Sequence, residues 1–161
     1  MRIFWKIITQ GWSEFFLPIQ AFIFWYWTKN LSFAVNFVLV WIICDTIAST
    51  IKLLYFTDRP QKMEYNNFIT KTIASSFPSI HAARSCSVFL FSTLLGIIPT
   101  ILYFIYFVAV SYSRVFLQKH FWRDIFWWII LASVVFIIYL HFFWDNDLVF
   151  WILKNILTFV Q

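Results

Sequence analysis

The apolar positions of this chain neither alternate nor fall in narrow stripes. They run continuously, and a few polar residues punctuate the runs. The first run covers roughly 12–28, is interrupted by Pro18 and Gln20, and ends at the polar turn Thr28-Lys29-Asn30. A second covers about 31–56. A third, about 82–98, stops near Gly96 and Pro99, which break helices. A fourth covers about 100–117 and a fifth about 121–144. About 20 helical residues cross a bilayer. Barrel strands would instead alternate in segments of about ten residues. The pattern therefore predicts an all-α, polytopic membrane helix bundle with about five spans, forming a single domain over residues 1–161. Residues 2–9 set Arg2 and Lys6 among large apolar side chains, which predicts an N-terminal interfacial helix. Residues 147–160 predict a short apolar C-terminal helix containing Lys154. The one sizeable polar stretch, 57–80, is expected as a loop, and loops of that length often carry function.

Composition fixes the class. The chain is 62% hydrophobic and 24% aromatic, with a mean hydropathy of +0.79, against roughly 45–50% apolar residues in a soluble domain. A core of 161 residues cannot hide that much apolar surface. The ten Trp and seven Tyr suit the headgroup level of a bilayer. A net charge of +5 points to anionic lipid rather than nucleic acid, for which no basic–aromatic motif is visible. The expected partners are thus the lipid bilayer and a membrane lipid. Cys44 and Cys86 lie inside apolar runs and read as small buried hydrophobes. No small-residue cleavage pattern follows the first run, so a cleaved signal peptide is not expected.

Charged residues make up only 12% of the chain, and charges kept beside a membrane are functional suspects. They fall in an ordered set: Lys52-x6-Arg59-Pro60, Pro78-Ser79-Ile80-His81 and Ser113-Arg114-x5-His120-x3-Asp124. If each span crosses once, Lys52, Arg59, His81, Arg114 and His120 all reach one membrane face. A phosphate monoester needs cations around its oxygens, an in-line nucleophile and a proton for the leaving oxygen. Arginine donates paired hydrogen bonds to phosphate and lysine supplies a point charge, so Lys52, Arg59 and Arg114 are assigned to a phosphate cradle. His120 and Asp124 are one helical turn apart. Asp124 is expected to accept from one ring nitrogen, which fixes the tautomer and leaves the other nitrogen free to attack. His81 is assigned as the general acid. Ser79 is expected to offer its hydroxyl, and the N–H groups around Ile80 to add a helix-start dipole.

These three spaced motifs resemble the signature of the type 2 phosphatidic acid phosphatases, membrane lipid phosphatases related to vanadium haloperoxidases. The match covers residues 52–124. The resemblance implies a phosphohistidine at His120, no metal and no cofactor. The compact chain is also similar to bacterial lipid A 1-phosphatases, which implies the bacterial inner membrane. Many bacterial relatives work on the periplasmic face, so a periplasmic active site is implied. The positive-inside rule points the other way, because Arg2, Lys6, Lys62, Lys71, Arg84, Lys119 and Arg123 join the motif face. The family usually has glycine between the serine and the histidine. This chain has Ile80, which would be strained if the backbone there had positive φ.

Lys62, Lys71, Arg84, Lys119 and Arg123 are assigned to the rim, around a headgroup carrying more than one phosphate. Lipid A 1-phosphate fits best on that count. Undecaprenyl pyrophosphate, phosphatidylglycerophosphate and transfer to a lipid acceptor are the alternatives. A second enzyme reading makes His81, His120 and Asp124 ligands of zinc or iron, but three converging cations favour an anion over a dication. A different class is a small anion channel. That would need polar groups across the bilayer, and apart from Asp45 they cluster at one face. Asp45 itself reads as one end of a buried interhelical hydrogen bond, and His141 as interfacial.

Overall fold

A computed structural model describes residues 16–143 and Ile3. The expected interfacial helix at 2–9 and the C-terminal helix at 147–160 lie outside the described residues, apart from Ile3. Among the described residues there are helices and no strands: α1 (Phe16–Thr28), α2 (Leu31–Leu54), α3 (Phe68–Ala74), α4 (Ile80–Ser92), α5 (Ile97–Phe116) and α6 (Trp122–Phe143). Three of them, α2, α5 and α6, are long and apolar enough to cross a bilayer. The expected runs at 12–28 and 82–98 become α1 and α4, each of 13 residues.

Local chemistry sets the helix boundaries. Pro18 lies within α1, whose described part begins at Phe16. Lys29 turns left-handed at φ 55° to end α1. The side chain of Asn30 then accepts from the Phe33 N–H at 3.2 Å and caps α2. Gly96, at φ 109°, makes the other sharp corner, between α4 and α5. Ile80 is not among the positive-φ residues. It takes the first position of α4, so the side chain departs from the family pattern without backbone strain.

The bundle is built around α4, which packs against α2, α5 and α6. Its buried residues include Ala82, Ala83, Ser85, Cys86 and Ser87. Small side chains let helix backbones approach closely where lipid removes the usual hydrophobic drive. Further along, α4 ends in an aromatic core: Phe91 meets the rings of Phe33, Phe37, Phe136 and Tyr139 at 5.2–5.7 Å between centroids. Such ring pairs contribute about 0.5–1.5 kcal/mol each beyond burial. The Tyr103 hydroxyl donates to buried Gln20 at 2.6 Å and ties α5 to α1. Cys44 and Cys86 are buried free thiols, as expected. The end of α2, the start of α4, the end of α5 and the start of α6 converge at the opposite end of the bundle.

Candidate active site

The stretch 57–80, expected as an irregular loop, contains α3. Asn67 caps it in a reciprocal box with Thr70: the Thr70 N–H donates to Asn67 Oδ1 at 2.8 Å, and Thr70 Oγ1 accepts from the Asn67 N–H at 3.0 Å. The end of α3 delivers backbone carbonyls to the cations. Arg59 donates to the Ile73 carbonyl, and Lys52 Nζ donates to the Ser75 carbonyl at 2.8 Å. Lys52 is only 4% exposed although it ends a membrane helix. Thr57 then clamps the returning chain, its carbonyl accepting from Ser76 N–H and its hydroxyl oxygen from Phe77 N–H, both at 2.8 Å.

The spacing Arg114-x5-His120 is set by how α5 ends. Gln118 adopts φ 54°, so the Lys119 and His120 N–H groups both fold back to the Arg114 carbonyl, at 3.1 and 3.3 Å. This six-residue closure satisfies carbonyls that a helix end leaves open. It also brings His120 Nε2 to 3.5 Å from the Arg114 guanidinium. Both side chains are buried.

His120 is oriented differently from the expectation. His120 Nδ1 lies 3.9 Å from Asp124 Oδ2, beyond hydrogen-bond reach. It is instead 2.6 Å from the Ser76 carbonyl. A carbonyl only accepts, so Nδ1 carries the hydrogen and Nε2 keeps its lone pair. Asp124 acts one step back. Its Oδ2 accepts from the Ser76 hydroxyl and from the Phe121 N–H at 2.9 Å. The expected direct His120–Asp124 bond is thus replaced by a path through Ser76, whose carbonyl accepts from His120 Nδ1 and whose hydroxyl donates to Asp124. Sequence reasoning missed Ser75 and Ser76. Their signal was a pair of hydroxyl residues, now fully buried, directly ahead of the Pro78-Ser79 motif.

Ser79 is the residue before α4 and is wholly buried, and its hydroxyl has no hydrogen-bond partner. The Nε groups of Arg59 and Arg114 are likewise without one. These three buried donors and the likewise unpaired acceptor Asp124 Oδ1 gather at one polar end, and buried donors left unpaired are costly. Burial first, then Arg114, Lys52 and Arg59, push the His120 imidazole well below its ordinary proton affinity, with the Ser76 carbonyl working weakly against them. The ring is therefore neutral, the state a nucleophile needs. His81, half-buried in the first turn of α4, lies within the electrostatic reach of Arg114, Arg84, Lys119 and Lys52. Among the described residues no group of three or more His, Cys, Asp and Glu could hold a metal ion.

The expected rim divides. Lys62, Lys71 and Arg123 are exposed and Lys119 is half-buried, all at this end. A cleft of ≈ 200 Å³ opens beside Arg123, lined by it and by Tyr55, Thr57, Phe77, Asp124 and Trp127. Arg84 is engaged elsewhere, its guanidinium held by Asp45 at 2.5–3.2 Å. Asp45 therefore makes the interhelical contact expected of it, as an ion pair. His141 is exposed at the far end, edge-on to Phe142.

The sequence matches the family model of the PAP2 superfamily over residues 33–148. No curated protein matches it significantly in sequence. The fold is similar to the crystal structure of a transmembrane PAP2-type phosphatidylglycerolphosphate phosphatase from Bacillus subtilis. The TM-score is 0.69 at 19% identity, covering 91% of this chain and 77% of that one.

Proposed function

The chain belongs to the PAP2 superfamily, and on that premise we propose that it is an integral membrane lipid phosphatase working through a phosphohistidine on His120. The observation that carries the reading is the hydrogen bond between His120 Nδ1 and the Ser76 carbonyl at 2.6 Å. It aims an unprotonated Nε2 at the end where Lys52, Arg59 and Arg114 gather. In the first step Nε2 attacks phosphorus, the ester P–O bond breaks, and His81 gives its proton to the departing lipid oxygen. In the second, His81 takes a proton from water, the hydroxide attacks phosphorus, and the P–N bond breaks to release inorganic phosphate. Cations that neutralise the transferring group do the work a dication does elsewhere, so the reaction is proposed to need no metal.

The substrate is proposed to be a bacterial envelope lipid carrying a phosphomonoester and a second anionic group. Lys62, Lys71, Lys119 and Arg123 stand outside the cradle, and each surface cation is worth about 1 kcal/mol toward an anionic membrane. Lipid A 1-phosphate has that charge pattern. So does phosphatidylglycerophosphate, the lipid named for the Bacillus subtilis neighbour. By resemblance to bacterial relatives the active site is assigned to the periplasmic face of the inner membrane. The test is phosphate release from lipid A, phosphatidylglycerophosphate, undecaprenyl pyrophosphate and phosphatidate by the purified protein, with and without chelator. Release from a doubly charged lipid, unchanged by chelator, is expected. No release from any of the four, or a loss on chelation that zinc restores, would overturn the reading.

A further inference from the structure

The ion pair between α2 and α4 is the largest charged feature that this chemistry leaves unused. Arg84 grips Asp45 through two nitrogens, Nε at 3.0 and 3.2 Å and a terminal nitrogen at 2.5 Å. The guanidinium also lies 4.8 Å from the Trp41 ring centroid. The two side chains are 27% and 24% exposed, and a groove of ≈ 490 Å³ reaches Asp45 from the side of α2. A half-buried pair at this depth is poor value for stability alone. Desolvation costs several kcal/mol per ion, and apolar replacements are often as stable.

Its position suggests another use. Arg84 follows His81 by three residues on α4, so the two side chains share a face one turn apart. The charges that bear on His81 are Arg114 from α5, Arg84 from its own helix, Lys119 from the turn after α5 and Lys52 from α2. On the α6 side, Asp124 is already engaged by Ser76 and the Phe121 N–H. Burial weighs most against a proton on the imidazole, and each of these four cations adds to it. Arg84 has the carboxylate of Asp45 at hydrogen-bond distance. Resting on the reading of His81 as the acid, we propose that Asp45 is a positioning residue for that acid. It neutralises Arg84 and turns the guanidinium away from the cradle, so that His81 can hold the proton it must deliver.

Two opposite variants test this in the full chain in detergent micelles. The His81 imidazole is titrated by NMR, its signal assigned with His81→Gln, and the pH profile of kcat is recorded on a water-soluble phosphate monoester. Asp45→Asn leaves Arg84 uncompensated. It should move the His81 midpoint, and the alkaline limb of the profile, about one unit to lower pH, the scale of one nearby partly screened charge. Arg84→Gln leaves the carboxylate and should move both the other way. The double variant should return them to the wild-type position, and Asp45→Glu should leave them there. A purely structural pair would lower expression or melting temperature and move neither midpoint. Unmoved midpoints, or shifts of the same sign in both single variants, would overturn the proposal. The NMR titration decides it even if the wild-type protein cleaves no phosphate ester, a result that would count against the phosphatase reading instead.

Discussion

At the scale of single residues, the relay from Asp124 through Ser76 to His120 is the feature that separates this site from its motif. The Ser76 hydroxyl satisfies a buried carboxylate, while its carbonyl holds the ring. Ser76→Ala removes only the hydroxyl. A hydrogen bond to a charged group is worth about 1.5–3 kcal/mol, so kcat should fall about tenfold or more with KM nearly unchanged, as steady-state kinetics would show. An unchanged kcat would show that the Ser76 carbonyl orients the ring without help from Asp124. The buried, neutral imidazole of His120 makes a second prediction. Its proton affinity is depressed in the folded protein, so below the ordinary histidine value of about 6.5 the unfolded chain binds the extra proton. The stabilising share of this group is full above that pH and is lost as pH falls through it. Thermal midpoints in micelles should drop between pH 7 and pH 5, and His120→Gln should flatten the slope. The residues assigned to cradle, acid and nucleophile stood out because their types are rare in so apolar a chain. Ser76 did not, since its role lies in a backbone carbonyl that every residue possesses.

At the scale of elements, α3 shows how a short helix outside the apolar runs serves the site. Its last turn and the residue after it supply the carbonyls that receive Arg59 and Lys52. Seven residues hold a helix poorly without a cap. Removing the cap with Asn67→Ala should cost about 1 kcal/mol of local stability. The expected signature is a several-fold rise in KM for a phosphate ester and faster amide hydrogen exchange over residues 68–75, with little change in kcat. An equal fall in kcat with KM constant would show that α3 orders the nucleophile rather than the cradle. Hydrophobic periodicity did not reveal this helix, because Phe68, Ile69 and Ile73 are exposed and form no buried stripe. Its signal was the cap itself, Asn67 three residues before Thr70. The apolar runs, by contrast, located α2, α5 and α6 to within a few residues. Within them, Pro18 and Gln20 looked like interruptions of α1. The helix runs through both, and Gln20 is paired to Tyr103.

At the scale of the molecule, the bundle is two-ended. Aromatic rings fill the far half around Phe91, and buried hydroxyls, cations and carboxylates fill the other. The small residues of α4 let the catalytic ends of α2, α5 and α6 close around its first turn. No single helix carries the proposed chemistry: α2 gives Lys52, the loop after it Arg59, the segment after α3 Ser76, α4 His81, α5 Arg114, and the turn into α6 His120. Such a site forms only when the whole bundle packs, and its purpose in this account is one covalent event. The most direct measurement is therefore to quench the purified, bilayer-embedded protein during turnover of lipid labelled with ³²P in its phosphomonoester, and to map the label. The account predicts an acid-labile, base-stable phosphoryl group on His120 that is absent from His120→Gln, a variant that should not turn over. Label on any other residue, or full turnover by His120→Gln, would contradict it.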